Sequence, residues 1–386
     1  MLRIGTPEEA GLCRERLKQA LKLLKRWTKE GKVPGAAIAV ARNGVLVEPI
    51  GFGRMAPEED TPPLRSDTIF LVASVTKPVT ASAAMRLVEE GRLSLDDRVA
   101  DIVPEFGNRG KKAITVRHLL THTSGLPDMV PANRALRAQH AALKTFVQHI
   151  CDCEVLFPPG TNVSYQSTGI AMLGEITERI TGTPLPEYMR RTFFEPMGME
   201  DTSLGMSSDR HHRIALVRIP EDQRGTDWHW NSPYWRGFGA PWGGMFSTVR
   251  DMAIFLQMFL EGGRHGDRSI LSPMTVRAMI TDQIRPMPHV PESVKADTHH
   301  PCAQSWGLGW HLRAGGDLTS SATFGHGGAT GTVVWADPKE RLLCVIFTTQ
   351  PGAPLHFRNF SRVGDSRSLP DFGSLILTNA NQTSDK

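Results

Sequence analysis

The chain has 386 residues, 40% hydrophobic, 22% charged and 7% aromatic, with a net charge of +4. This is enough for one large domain with an insertion or for two domains, and it excludes a disordered, collagenous or coiled-coil chain. Lys and Arg are spread without a run of five or six, so nothing points to a nucleic-acid partner, and no apolar stretch is long enough to cross a bilayer.

The first residues, MLRIGTPEEAGL, lack the basic start, apolar core and small-residue cleavage site of a signal peptide. The five cysteines, Cys13, Cys151, Cys153, Cys302 and Cys344, form an odd, sparse set that suits a reducing compartment, so a cytoplasmic location is expected. Cys151 and Cys153 have no second close pair to complete a zinc site, and His118 and His122 lack the Glu of a HExxH helix. These residues, with His211–His212 and His299–His300, read as structural or surface groups, and no metal is expected.

In chain order, Leu17, Leu21, Leu24 and Trp27 recur at helical spacing and predict a helix from about Arg14 to Glu30. GAAIAVARNGVLVEPIGFG follows, two apolar runs around Asn43-Gly44, a strong hairpin signal. Helices are predicted at about 75–90, 115–121, 140–151, 167–181, 185–193, 248–261 and 273–281, the first ending at Gly91. Residues 206–242 and 284–304 are rich in Pro, His and polar residues and read as long loops. TGTVVWADPKERLLCVIFTTQ gives two strands around Asp337-Pro338, with Ser305–Arg313 as a plausible neighbour. The polar tail from about Leu355 shows no helical stripe and reads as loosely ordered.

Strands at both ends and helices between them predict an α/β (α+β) fold: an antiparallel sheet built from both ends of the chain and flanked by helices. The expected domains are residues 1–62 with 300–386 for the sheet and 63–299 for a mostly helical insertion, with a cleft between.

The chemistry begins at IFLVASVTKPVTASAAM, where Lys77 is the only charged residue. A lysine alone among small and apolar residues needs a partner, because an unpaired buried ammonium is costly. Ser74 lies three residues earlier, and positions i and i+3 share a helix face. A serine hydroxyl is a poor nucleophile until something removes its proton, and a buried lysine can be that base or can hold another base ionised. Pro78 is awkward if the helix starts at Ser74 and tolerable near the first turn. Taken alone, Ser-x-x-Lys also fits an N-capping serine beside a lysine that reaches solvent. Two further stretches add weight: Ser164-Tyr165-Gln166-Ser167 before an apolar helix, holding one of only three tyrosines, and Phe324-Gly325-His326-Gly327-Gly328-Ala329 leading into a strand.

Together these stretches resemble the serine β-lactamase and penicillin-binding-protein superfamily, and within it class C β-lactamases, the carboxylesterases called family VIII and D-amino-acid-releasing peptidases. Gly91-Arg92-Leu93-Ser94-Leu95-Asp96-Asp97, Arg117-His118-Leu119-Leu120-Thr121-His122-Thr123-Ser124-Gly125-Leu126 and Gly243-Gly244-Met245-Phe246-Ser247-Thr248 are also in keeping. The resemblance implies Ser74 as the acylated nucleophile, Lys77 as its partner and Tyr165 as the phenolate that takes the serine proton. It implies an oxyanion hole from the backbone N–H groups of Ser74 and Ala329. Ser167, which ends the second motif, and His326, Gly327 and Gly328 of the third would line the substrate site. No cofactor is implied.

The departures bear on substrate. His326 stands where many β-lactamases have Lys, and Ser167 where they have Asn. Both changes favour a neutral ester over an anionic lactam. The expected function is a carboxylesterase acting on short-chain esters through an acyl-enzyme on Ser74. The alternatives are a β-lactamase or D-peptidase and, from another class, a non-catalytic penicillin-recognising protein. There is no Gly-x-Ser-x-Gly, which disfavours an α/β-hydrolase elbow. The family usually ends in a helix packed on the sheet, and the tail here shows none.

Overall fold

The computed structural model describes residues 1–58, 60–295, 305–313 and 319–353. The tail read as loosely ordered and Cys302 lie outside these residues.

A seven-stranded sheet is drawn from residues 3–53 and 311–348. Its order is Arg3–Gly5, Val45–Gly53, Gly35–Arg42, Leu342–Thr348, Thr332–Asp337, Phe324–Gly328 and His311–Leu312. The two ends of the chain meet where Gly35–Arg42 pairs antiparallel with Leu342–Thr348, Leu342 opposite Arg42 and Thr348 opposite Ala36. The expected hairpin is present, with Asn43 and Gly44 both at positive φ (53° and 76°), as a two-residue turn that follows the strand twist requires. The first strand, Arg3–Gly5, was not anticipated; it pairs parallel with Val45–Val47, and three residues are too few to carry a periodic signal.

Both faces of the sheet are covered, which explains why its central strands read as unbroken apolar runs. On one face Leu17, Ala20, Leu24 and Trp27 of helix Arg14–Lys29 pack on Ala36, Ile38, Val40, Cys344 and Ile346. On the other, helix Val249–Leu260 lays Met252, Phe255, Leu256 and Phe259 over Ala37, Ala39, Ala41, Val345 and Phe347. The alanines keep this contact thin, so the helix lies close to the sheet.

The helical part of the chain centres on helix Thr76–Glu89, which is buried on nearly every side and packs against Thr168–Thr181. A small second sheet, Phe70–Leu71 with Met245–Ser247 and Ser203–Leu204, ties the chain just before that helix to the middle of the sequence. Within the stretch read as a loop over 206–242 there is a short helix, Pro233–Phe238, whose first turn is capped when the Ser232 hydroxyl accepts from Trp235 N–H. Six residues fall below the length at which periodicity separates helix from loop. No helix among the described residues is long and apolar enough to cross a membrane.

One buried carboxylate gives the fold a pH dependence. Asp251, 6% exposed, accepts from the Asp201 N–H and the Thr202 hydroxyl, each at 2.9 Å. Burial pushes its pKa up to about 6, against the pull of those two hydrogen bonds. An unfolded Asp titrates near ~3.9, so the native state binds more protons between about pH 4 and 6. The stability present below that range is therefore lost as pH rises through it. Asp251→Asn keeps an acceptor oxygen and removes the titration. It should gain about 2 kcal/mol on wild type between pH 4 and 7, read from urea unfolding at each pH. A constant difference across that range would show that Asp251 does not titrate.

Candidate active site

Ser74 sits half-buried in a single 3₁₀ turn, Ala73–Val75, that runs directly into helix Thr76–Glu89. This resolves the position of Pro78. The helix proper starts at Thr76, so Pro78 falls in its first turn, and the carbonyls of Ala73 and Ser74 are satisfied by amides at the end of the 3₁₀ turn rather than by residue 78. The turn is held in a strained shape, with Ala73 at φ 47°, a conformation that costs an alanine about 1–2 kcal/mol. Five hydrogen bonds over-determine it. Thr76 Oγ1 donates to Ala73 O at 2.6 Å and accepts from Met245 N–H at 3.1 Å. Val72 N–H donates to Met245 O at 3.0 Å. The hydroxyls of Thr330 and Thr332 donate to Leu71 O and Val72 O at 2.7 and 2.8 Å.

Lys77 follows one helical turn after Ser74, and its side chain is almost wholly buried. Its Nζ donates to Ser74 Oγ at 3.0 Å and to Trp242 O at 2.9 Å. The same Nζ lies 4.7 Å from the centroid of the Tyr165 ring. Serine, lysine and tyrosine thus gather around one ammonium, although Tyr165 is 88 residues further along than Lys77. An ammonium against an aromatic face is attracted by the ring quadrupole, the more strongly where water is excluded.

His326 comes to the same place from the sheet. It lies mid-strand opposite Val334 and is 4% exposed. Its Nδ1 lies 2.7 Å from Gly327 O. A carbonyl can only accept, so the ring proton is on Nδ1. Burial, then the charge on Lys77, push its pKa down to about 3, opposed by the bond to Gly327. The ring is therefore neutral throughout the ordinary working range. Gly328, two residues on, must be glycine for space: a Cβ there would lie 2.2 Å from Thr332 Oγ1 and 2.4 Å from Val72 O. The third-motif strand thus lies directly on the backbone of the Ser74 turn. Ala329 is exposed in the turn that follows, closed by Gly331 N–H to Gly328 O at 3.0 Å. Gly327 is half-buried opposite Val333.

Ser167 is placed by Asp128, which accepts its N–H on Oδ1 at 2.8 Å. It borders a small apolar cavity with Met129, Phe146, Ile150 and Trp242. Ser74, Lys77, Tyr165 and His326 therefore come together, and the fold adds others. Trp306 packs edge-on against both Tyr165 and His326, with centroids at 6.2 and 5.8 Å, and stacks on His311. His122, read as a structural or surface residue, is fully buried against Tyr165 and Trp306. His118 is structural as expected: its ring and backbone complete a capping box with Thr115. Neither Trp242, which acts through its carbonyl, nor Trp306 carries a local sequence signal, since each is defined by what it faces.

Comparison with known proteins follows the same outline. A family model described as Beta-lactamase matches residues 15–365. Penicillin-binding protein 4 of Amycolatopsis lactamdurans is 31% identical over 309 residues, covering 78% of this chain and 76% of that protein. Among solved structures, a family VIII carboxylesterase matches with a TM-score of 0.74 at 24% identity, over 96% of this chain and 98% of that one. A penicillin-binding protein homologue from Caulobacter crescentus matches with a TM-score of 0.73, also at 24% identity, over 96% and 98%. At that identity the two structures show a shared fold.

Proposed function

The chain belongs to the beta-lactamase family and is a serine hydrolase, and from that premise we propose that it is a carboxylesterase acting on short-chain esters through an acyl-enzyme on Ser74. The observation that carries the choice of substrate is the neutral His326. Burial and the nearby Lys77 keep its charge off, so the third motif offers no fixed cation for a substrate carboxylate. The rings of Trp306 and Tyr165 beside His326 are aromatic, which suits an uncharged ligand. Similarity in fold to a family VIII carboxylesterase is in keeping with this reading.

In the proposed reaction the Tyr165 phenolate, stabilised by the Lys77 ammonium, takes the Ser74 proton as Oγ attacks the ester carbonyl. The backbone N–H groups of Ser74 and Ala329 receive the developing oxyanion; one such donor is worth roughly 3–4 kcal/mol in measured cases. The phenol returns the proton to the leaving alcohol. The resulting phenolate then draws a proton from water as the water oxygen attacks the acyl carbonyl, and returns it to Ser74 Oγ as the bond to the acyl group breaks, which releases the acid and frees Ser74.

The test is kcat/KM for p-nitrophenyl butyrate, nitrocefin and a D-alanyl-D-alanine peptide on purified protein. The ester is expected to be preferred by a wide margin at pH 8. His326→Lys would set a second ammonium beside Lys77. The ester rate should fall, and the nitrocefin-to-ester ratio should rise about fivefold, the equivalent of about 1 kcal/mol. Nitrocefin turnover by wild type as efficient as ester turnover would make β-lactam hydrolysis the leading function. The likeness to a protein of Escherichia coli O157:H7 described as Putative D-alanyl-D-alanine carboxypeptidase, 26% identical over 391 residues and covering 91% of this chain and 86% of that protein, keeps D-peptide hydrolysis as the second reading, and efficient turnover of the peptide would favour it.

A further inference from the structure

The loop Thr121–Leu126 supplies no group to the reaction proposed above, yet it is tied to the Tyr165 segment at several points. At its centre His122 is fully buried and holds φ at 60°, a left-handed conformation that is costly for a residue with a Cβ. It bonds to the chain on both sides of Tyr165. Its carbonyl accepts from Ser164 N–H at 2.9 Å, and its Nδ1 accepts from Gln166 N–H at 3.3 Å. Between these two bonds its ring lies 4.8 Å from the Tyr165 ring and 4.7 Å from that of Trp306. An amide can only donate, so Nδ1 presents a lone pair and the proton is on Nε2. The loop grips Gln166 a second time, through Ser124 Oγ donating to Gln166 Oε1 at 2.5 Å.

We infer that His122 is a positioning residue for Tyr165: its carbonyl and its Nδ1 hold the peptides on either side of the tyrosine, so that the phenol stays beside Lys77. The inference rests on the reading of Tyr165 as the general base. A base displaced by a fraction of an ångström loses rate steeply, because proton transfer needs hydrogen-bond contact. A strained backbone retained at such a point is what placement of a reacting group requires.

The test is a double-mutant cycle read with p-nitrophenyl butyrate, with melting temperatures measured alongside. Glycine tolerates the left-handed backbone but removes the ring, whereas asparagine tolerates it and returns an acceptor oxygen. His122→Gly should lower kcat about 10- to 100-fold with KM changed less than about threefold. His122→Asn should recover at least about tenfold of that loss. In a Tyr165→Phe background, His122→Gly should cost less than about twofold, since the group it positions is gone. Equal losses in both backgrounds, or no recovery with asparagine, would show that His122 only supports the fold and would overturn the inference. Should His122→Gly not fold, Ser124→Ala takes its place in the cycle, because it loosens the same grip on Gln166 by removing one hydroxyl. Failure of the underlying reading looks different: Tyr165→Phe would itself turn over at near wild-type rate.

Discussion

Ser74→Ala is expected to abolish ester turnover while the protein still folds. Among the described residues, the strained Ala73 backbone is fixed by Thr76, Met245, Thr330 and Thr332 rather than by the Ser74 hydroxyl. Ser74 Oγ accepts from Lys77 Nζ, and Lys77 keeps Trp242 O as an acceptor when that bond is lost. The stability cost should therefore stay near ~1 kcal/mol, the size of one ordinary hydrogen bond. The rate, by contrast, should fall to background, at least about 10⁴-fold, as when a covalent nucleophile is removed. Intact-protein mass spectrometry with a slowly hydrolysed ester should show one acyl adduct on wild type and none on the variant. An adduct on any other serine would sink the assignment.

Tyr165→Phe should lower kcat by at least about 10²-fold, the usual scale for loss of a general base. The ring contacts with His122 and Trp306, and the ring face turned to Lys77, involve no hydroxyl. Phenylalanine keeps them, so folding and KM should change little. If kcat instead stays near wild type, Lys77 or another group takes the serine proton. The comparison is clean because the variant leaves the packing around the ammonium in place.

Much of this protein follows from local sequence. The hairpin at Asn43-Gly44 needs two residues that accept positive φ, and the helices with an apolar stripe, Arg14–Lys29 and Val249–Leu260, lie within about a residue of where their periodicity ends. The Ser74–Lys77 contact was also legible, because one helical turn brings residues three apart together and an isolated lysine in an apolar run must find a partner. The stretches around Tyr165 and His326 stood out through tyrosine scarcity and clustered glycines.

What the chain alone could not reveal is anything that depends on distant segments sharing a space. His122 read as an ordinary histidine because neither its left-handed backbone nor its bond to Gln166, 44 residues away, leaves a local pattern. Trp242 serves through a main-chain carbonyl, which every residue possesses, so its side chain advertises nothing. An ordinary imidazole, with a pKa of about 6.5, is already mostly uncharged at pH 8. Only burial within the assembled site, together with Lys77 arriving from the helix opposite, drives the pKa of His326 down to about 3 and makes the neutral ring a property of the fold.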